Sequence, residues 1–406
     1  MINTQYISFS LLFVLLALML GTPTEIMGVK LALMLVVILV TLFFKKKKFW
    51  EMNSIVYGVI FVILLHGVYN ISSAVINQTM TSTELIRVLP FNLIHPILYF
   101  LLIPAMMGDN IKRLCYGFVI IYFLLIFRDL INVLALLVGF TPPFVFSEGE
   151  IYNVTESSIG FNSGSHYSMM YLMPVFFTLA FTGKLNKKLL IFGFLLTILQ
   201  VALSGSAALI IIFVLCMSIP FFVKILIPKH SYAINLKYFV FILLTVVSVG
   251  LYYFISSGFF EAAFDNFVNH FDSTTDLRYE QRQVLLDGWK QAPIWGQGYG
   301  ASFVTSARGR ESQFESMYHS TLATTGIVGL LFILTYYFLI IIYTYKLIKR
   351  TQSPYYLSLL FCFFSSILCS TTNPALATFD GLIPIYACLA CIAANQDKKH
   401  VNLVPN

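Results

Sequence analysis

Long apolar runs, parted by short polar clusters, set the pattern of this chain. The runs lie near 7–22, 29–44, 54–69, 88–107, 116–138, 166–182, 189–203, 207–227, 238–256, 323–345, 356–371 and 382–395. Segments of this length and continuity are helices that satisfy their own backbone groups in hydrocarbon, and they are too long for tilted barrel strands. The pattern predicts an all-α polytopic membrane bundle of about 12 transmembrane helices. Residues 1–406 read as a single membrane domain, with a large extracytoplasmic loop over 256–322 that contains short helices. Ser204-Gly205-Ser206 leaves only a short turn between the seventh and eighth runs. The first run has no basic n-region and no small-residue cleavage site, so it reads as a retained span.

Composition removes the soluble alternative. Apolar residues make up 58% and charged residues 11% of 406 positions, against roughly 25% charged in globular chains. A soluble fold of this composition would expose large apolar patches. The net charge of +7 does not form a phosphate-tracking groove, which argues against nucleic acid as a partner. Its basic residues cluster between apolar runs. With twelve crossings and both termini cytoplasmic, inner loops hold Lys45 to Lys48, Lys112, Arg113, Lys184, Lys187, Lys188, Lys224, Lys229, Lys237, Lys346, Lys349, Arg350, Lys398 and Lys399. These are 17 of the 25 basic residues, as the positive-inside rule requires of a multi-pass membrane protein. Lys30, Arg87, Arg278, Arg282, Lys290, Arg308 and Arg310 then fall outside.

The outer loops are unequal, with the longer ones near 70–87, 141–165 and 256–322. The largest opens with Phe259, Phe260, Ala263, Phe264, Phe267 and Phe271, an apolar stripe beside Glu261, Asp265 and Asp272. The stripe fits an interfacial amphipathic helix or one packed on the protein's own core. Farther on, Arg278 and Arg282 stand four apart on one predicted helical face. Two guanidinium forks on one face suit a pyrophosphate; local pairing with Asp276, Glu280 or Asp287 is the plainer alternative. The stretch Pro293-Ile294-Trp295-Gly296-Gln297-Gly298-Tyr299-Gly300 predicts a helix stop and a tight turn. It lacks the strand and the spacing of a nucleotide loop, and should set the arginine helix against the next element. There, Glu315 and His319 are four apart, and either could act as general base toward a sugar hydroxyl. Arg308 and Arg310 are further candidates for binding substrate.

Arg128 and Asp129 are adjacent inside the fifth run, where a charge should face the bundle interior with a partner. Arg128 could meet substrate, or pair internally with Asp380 or Glu84. His66, His95 and His166 read as structural. The six cysteines fall in or beside apolar runs, and Cys388-x-x-Cys391 reads as buried small hydrophobes. No further ligands complete a site around Glu315 and His319, so no metal is expected.

The segments Leu277 to Gly300 and Glu315 to Leu331, with weaker echoes at Gly160-Phe161-Asn162 and Leu203 to Ala208, resemble the bacterial O-antigen polymerase and O-antigen ligase superfamily. Arg278 matches the family arginine that precedes the proline turn by about four helical turns. Two positions depart from the pattern. The family's His-Asn, eleven residues before the Thr-Gly glycine, is Glu315-Ser316 here, and its Ser-Arg is Ser206-Ala207. The resemblance implies a glycosyltransferase without metal or cofactor that takes glycan from an undecaprenyl-pyrophosphate-linked oligosaccharide. Fixed guanidinium groups would stabilise the leaving pyrophosphate, with Arg278 and Arg282 on the diphosphate and Glu315 or His319 on the acceptor hydroxyl. Its other partners would be membrane lipids and a chain-length regulator. The missing histidine favours a polymerase of O-antigen or capsule type. The alternatives are a ligase that transfers finished glycan to lipid A-core or another acceptor, and a lipid-linked oligosaccharide flippase.

Overall fold

A computed structural model describes residues 4–22, 26–50, 52–107, 110–145, 151–154, 159–162, 166–204, 207–228, 279–305, 309–311, 314, 316–371 and 380–394. The described chain is a helical bundle: α1 (Thr4–Gly21), α2 (Met27–Trp50), α3 (Ser54–Ile76), α4 (Ser82–Leu89), α5 (His95–Met106) and α6 (Asn110–Leu137) come first. A π-helical turn, Pro90–Ile94, joins α4 to α5. Then follow α7 (His166–Phe181), α8 (Lys187–Ser204), α9 (Ala207–Met217) and α10 (Ile219–Leu226). The helix 279–291 is α11; α12 (Met317–Thr351), α13 (Pro354–Cys369) and α14 (Ile383–Ala393) close the bundle. Two antiparallel hairpins sit in the loops: β1 (Ile151–Val154) with β2 (Ile159–Asn162), and β3 (Phe303–Thr305) with β4 (Gly309–Glu311).

The expected count of about twelve transmembrane helices is corrected. Among the described residues, six helical segments are long and apolar enough to cross a membrane, or seven if the bent pair α9–α10 is one span. The reason is that an apolar run need not be a span. α7 is 16 residues and α14 is 11, about 24 and 17 Å at 1.5 Å per residue, against roughly 30 Å of hydrocarbon. Both are apolar on all sides because other helices cover them: every residue of α14 is buried, and all but Tyr167 of α7. α13 packs along α7, and α6 lies on α7 as well. The ninth expected run, 238–256, and the Phe259 to Phe271 stripe lie outside the described residues.

Loops shift too. The expected outer loop 70–87 shrinks to 77–81, since α3 runs on to Ile76 and α4 starts at Ser82 behind a capping box of Thr81 and Glu84. The loop 141–165 carries the β1–β2 hairpin, beside α6 and α8. α12 begins at Met317, earlier than the expected 323.

The two ends of the bundle differ in chemistry. At one end, the Tyr116 hydroxyl donates to the Lys184 carbonyl at 3.2 Å. Also there, Lys349 donates to the Ile225 carbonyl at 3.2 Å and Gln352 to Leu226 at 3.3 Å. These contacts gather the basic ends of α6, α8, α10 and α12. At the other end the last carbonyls of α1 meet two buried cations. Arg128 donates to Gly21 at 3.0 Å, and Lys30 donates to Thr22.

Each cation has a carboxylate. Lys30, expected in an outer loop, is fully buried in α2 and pairs with Asp380 at 3.0 Å. Arg128 pairs with its neighbour Asp129 at 2.9 Å, not with Asp380 or Glu84. Removing one partner of such a pair strands the other charge. Asp380→Leu should therefore cost on the order of 3–5 kcal/mol, read as a lower melting temperature in detergent. The double change Lys30→Met/Asp380→Leu should restore much of it; a double variant as unstable as the single one would contradict this.

Candidate functional site

α12 is broken at Gly326, whose φ of 66° and ψ of −166° interrupt the helix. That conformation is essentially restricted to glycine. A break of this kind strips helical partners from the carbonyls before it and the amides after it. The turn Pro293–Gly300 supplies replacements from both sides. The Gln297 and Gly298 amides donate to the Ala323 and Thr324 carbonyls at 2.9 and 2.8 Å, while the Ile327 and Val328 amides donate to Pro293 and Ile294 carbonyls at 3.0 and 3.2 Å. The Tyr69 hydroxyl of α3 lies 2.9 Å from the Thr325 carbonyl and 3.0 Å from that of Trp295, and shares its proton between them.

Close approach explains the turn's glycines. Gly296, Gly298 and Gly300 have φ of 73°, 110° and 82°. A Cβ on Gly296 would stand 2.4 Å from the Thr324 carbonyl carbon. α3's end holds the far side: Thr79 donates to the Tyr299 carbonyl at 2.7 Å, and the Tyr299 amide donates to the Ser73 hydroxyl at 3.3 Å.

This joint fixes α11. Gln297 donates to the Gly288 carbonyl at 2.8 Å, and the Trp289 indole donates to the Pro293 carbonyl at 3.0 Å. Beneath, Leu285, Ala301, Phe303, Phe314 and Ala323 form a small second core, with the Phe303 and Phe314 rings edge-on at 5.7 Å. Gln281, Leu285 and Gly288 face inward, so Arg282 is left on the exposed side. His319 stands on α12 two helical turns before the break; burial first, and then the charge of Arg282, hold its imidazole below the usual histidine range. The His319 Nδ1 lies 2.6 Å from the Ser316 hydroxyl, which orients the ring. Two of the expected site residues, Arg282 and His319, are thus described, on the two elements that the joint ties together. A guanidinium can hold an anion and an imidazole can receive a proton.

The other candidates divide. Arg278, Arg308 and Glu315 lie outside the described residues, and Arg310 falls on β4, opposite Val304. Asp287 pairs with Lys290 at 2.7 Å, both exposed. Arg128 sits in a buried polar group of its own. Asp129 takes a hydrogen bond from Gln200 at 2.9 Å, and His166 lies 4.0 Å from it. All six cysteines are buried, and none forms a disulfide. Among the described residues no three His, Cys, Asp or Glu side chains gather as a metal site would need. Tyr69, Ser73 and Thr79 of the α3 end are the residues that sequence reasoning missed. Their signal was faint: polar side chains at the mouth of an apolar run.

Residues 189–334 match the family model described as O-antigen ligase. Over that stretch, about a third of its length, the chain is similar to the O-antigen ligase family. The matched part runs from α8 to the middle of α12, so it holds the turn, α11 and the break; α3, which ties the turn down, lies before it. Among curated proteins, none matches the chain. The similarity supports a glycan-handling enzyme with a role in O-antigen ligation or polymerisation, and the long apolar helices make a polytopic bundle of the inner-membrane type.

The joint is testable apart from activity. A Cβ at Gly326 would stand 2.3 Å from the Ile294 carbonyl oxygen, on a backbone forbidden to alanine. Gly326→Ala should destabilise by at least about 1–3 kcal/mol in thermal unfolding. Gly58→Ala, where nothing lies within 4 Å, should leave the transition in place. Equal melting of both variants would contradict the joint.

Proposed function

We propose that this protein transfers a glycan from a polyprenyl pyrophosphate carrier to an acceptor at the outer face of the bacterial inner membrane, with ligation as its main reaction. The carrying observation is Arg282, exposed on the α11 helix that the turn docks against the break in α12, the helix that bears His319. The family match favours ligation, which reverses the preference for polymerase drawn from the sequence. Polymerisation stays as the second reading, favoured by Glu315-Ser316 and Ser206-Ala207 in place of the family's His-Asn and Ser-Arg.

In this reaction the acceptor hydroxyl attacks the anomeric carbon of the carrier-bound sugar. The bond from that carbon to the pyrophosphate oxygen breaks, and its electron pair leaves with the pyrophosphate. Arg282, joined by Arg278 four positions earlier in the sequence, would neutralise the charge that grows there. Two guanidinium forks can do this without a further ion. The acceptor's proton passes to His319 or Glu315. Arg308 and Arg310 of the hairpin would steer the anionic substrate, whereas Arg128, already held by Asp129 and Gly21, would position α1.

The orientation has its own support. Basic residues gather at the end where α6, α8, α10 and α12 are linked, which the positive-inside rule places in the cytoplasm. Arg128 meets the final carbonyls of α1, and Asp380 precedes α14 at that same far end. The α11–turn–α12 unit would then be extracytoplasmic.

Product analysis in cells tests the reading. Arg282→Ala and Arg278→Ala should each lower transfer at least about tenfold, with Arg282→Lys only partly active because a point charge replaces a fork. Loss of ligation strands polymer on the carrier lipid; loss of polymerisation leaves single repeat units on the acceptor. Unchanged product in both alanine variants would remove the proposed arginine role.

A further inference from the structure

α12 is longer than a membrane needs. Its 35 residues rise about 52 Å, against roughly 30 Å of hydrocarbon. Its inner limit is marked by Lys346 and Lys349, whose ammonium groups lie 5.2 and 5.7 Å from the Tyr343 and Tyr345 ring centres. Such tyrosines and lysines mark a membrane–water boundary. Counting back, Ile327 to Tyr345 is about 19 residues and rises about 28 Å, which fills the hydrocarbon. The outer hydrocarbon edge therefore coincides with the break at Gly326.

What stands at that edge is the docked turn. Ile294 and Trp295 are 55% and 63% exposed, although both are large and apolar. They continue the outward-facing surface formed by Ile327 and Leu331 of α12 and Val68 of α3, all exposed. The stretch from Pro293 to Gly300 contains no charged residue. Its carbonyls at Pro293, Ile294 and Trp295 and its amides at Gly296, Gln297 and Gly298 are hydrogen bonded. Backbone with most of its polar groups paired can sit at the hydrocarbon–headgroup boundary, where the Ile294 and Trp295 amides still reach water or headgroups.

We propose that the Ile294–Trp295 tip is a membrane anchor seated among the outer-leaflet lipids at the hydrocarbon–headgroup boundary. Trp295 and Tyr69, with ring centres 6.5 Å apart, form the outer aromatic girdle that answers Tyr343 and Tyr345 below. The anchor sets depth: His319, seven positions before the break, lies at most about 10 Å above the hydrocarbon, at the level of lipid phosphates. The occupant is bulk lipid and not a second protein, because the tip is continuous with the lipid-facing sides of two spanning helices. This inference rests on the membrane bundle and stands whether or not the proposed transfer reaction is correct.

Fluorescence quenching in liposomes tests it. The full chain carrying Trp50→Phe and Trp289→Phe keeps Trp295 as its single tryptophan. With phosphatidylcholine brominated at shallow acyl positions its emission should fall by roughly half, and less with bromines near the bilayer centre, as for a boundary residue. Ile294→Cys carrying a polarity-sensitive label covers the case in which the single-tryptophan chain does not fold, and should report an interface-like environment. A water-like Trp295 spectrum with no quenching would overturn the anchor. So would a cysteine at 294 that cross-links efficiently to a second copy.

Discussion

A broken helix and a glycine turn complete each other in this protein, and the candidate site stands on that exchange. Around Gly326, the Ala323, Thr324 and Thr325 carbonyls and the Ile327 and Val328 amides would be orphaned beside the membrane. Each orphan left so would cost on the order of 1–3 kcal/mol. The turn and Tyr69 meet all five. In return, the same bonds hold Pro293 to Gly298 rigid, and with them the α11 helix that bears Arg282. A loop tied to a spanning helix by four bonds, and to α3 through Tyr69, has little freedom to drift, so a site built on it keeps its geometry relative to the bilayer.

The bundle beneath solves a second problem, that of charge within lipid. Lys30 and Arg128 each combine a carboxylate with a main-chain carbonyl at the end of α1. Their desolvation is offset only because both the opposite charge and the hydrogen bonds are present. These pairs fasten α1, α2, α6 and the Asp380–Leu382 turn at the end of the bundle opposite the basic clusters. They serve the architecture, while Arg282 faces outward. Burial separates the two kinds of cation: Arg128 is 8% exposed and held on several sides, whereas Arg282 lies on the open face of its helix.

Much of this was legible in the sequence, for definable reasons. Long apolar runs announce helices, lysine clusters announce one end of the bundle, and Pro293 with three glycines announces a stop and a turn. Span number was not legible, because apolarity reports burial and does not separate lipid from protein as the covering medium; α7 and α14 are covered by protein. The Arg128–Asp129 pair was missed since neighbours on a helix point about 100° apart. A long guanidinium can still fold back onto an adjacent carboxylate. The turn's partner on α3 was invisible for another reason: Tyr69 and Thr79 lie more than two hundred positions from it, and hydroxyls at a helix end carry no pattern of their own.

The central claim is that the joint presents the α11 arginine to a lipid diphosphate. It is tested most directly by the affinity of the purified protein, in lipid nanodiscs, for an undecaprenyl-pyrophosphate-linked oligosaccharide. Arg282→Gln should weaken binding by about tenfold or more, the loss expected for a charge-assisted phosphate contact. Lys290→Gln, which breaks only the exposed pair with Asp287, should bind as the unaltered chain does. Equal affinity for Arg282→Gln and the unaltered chain would contradict the claim.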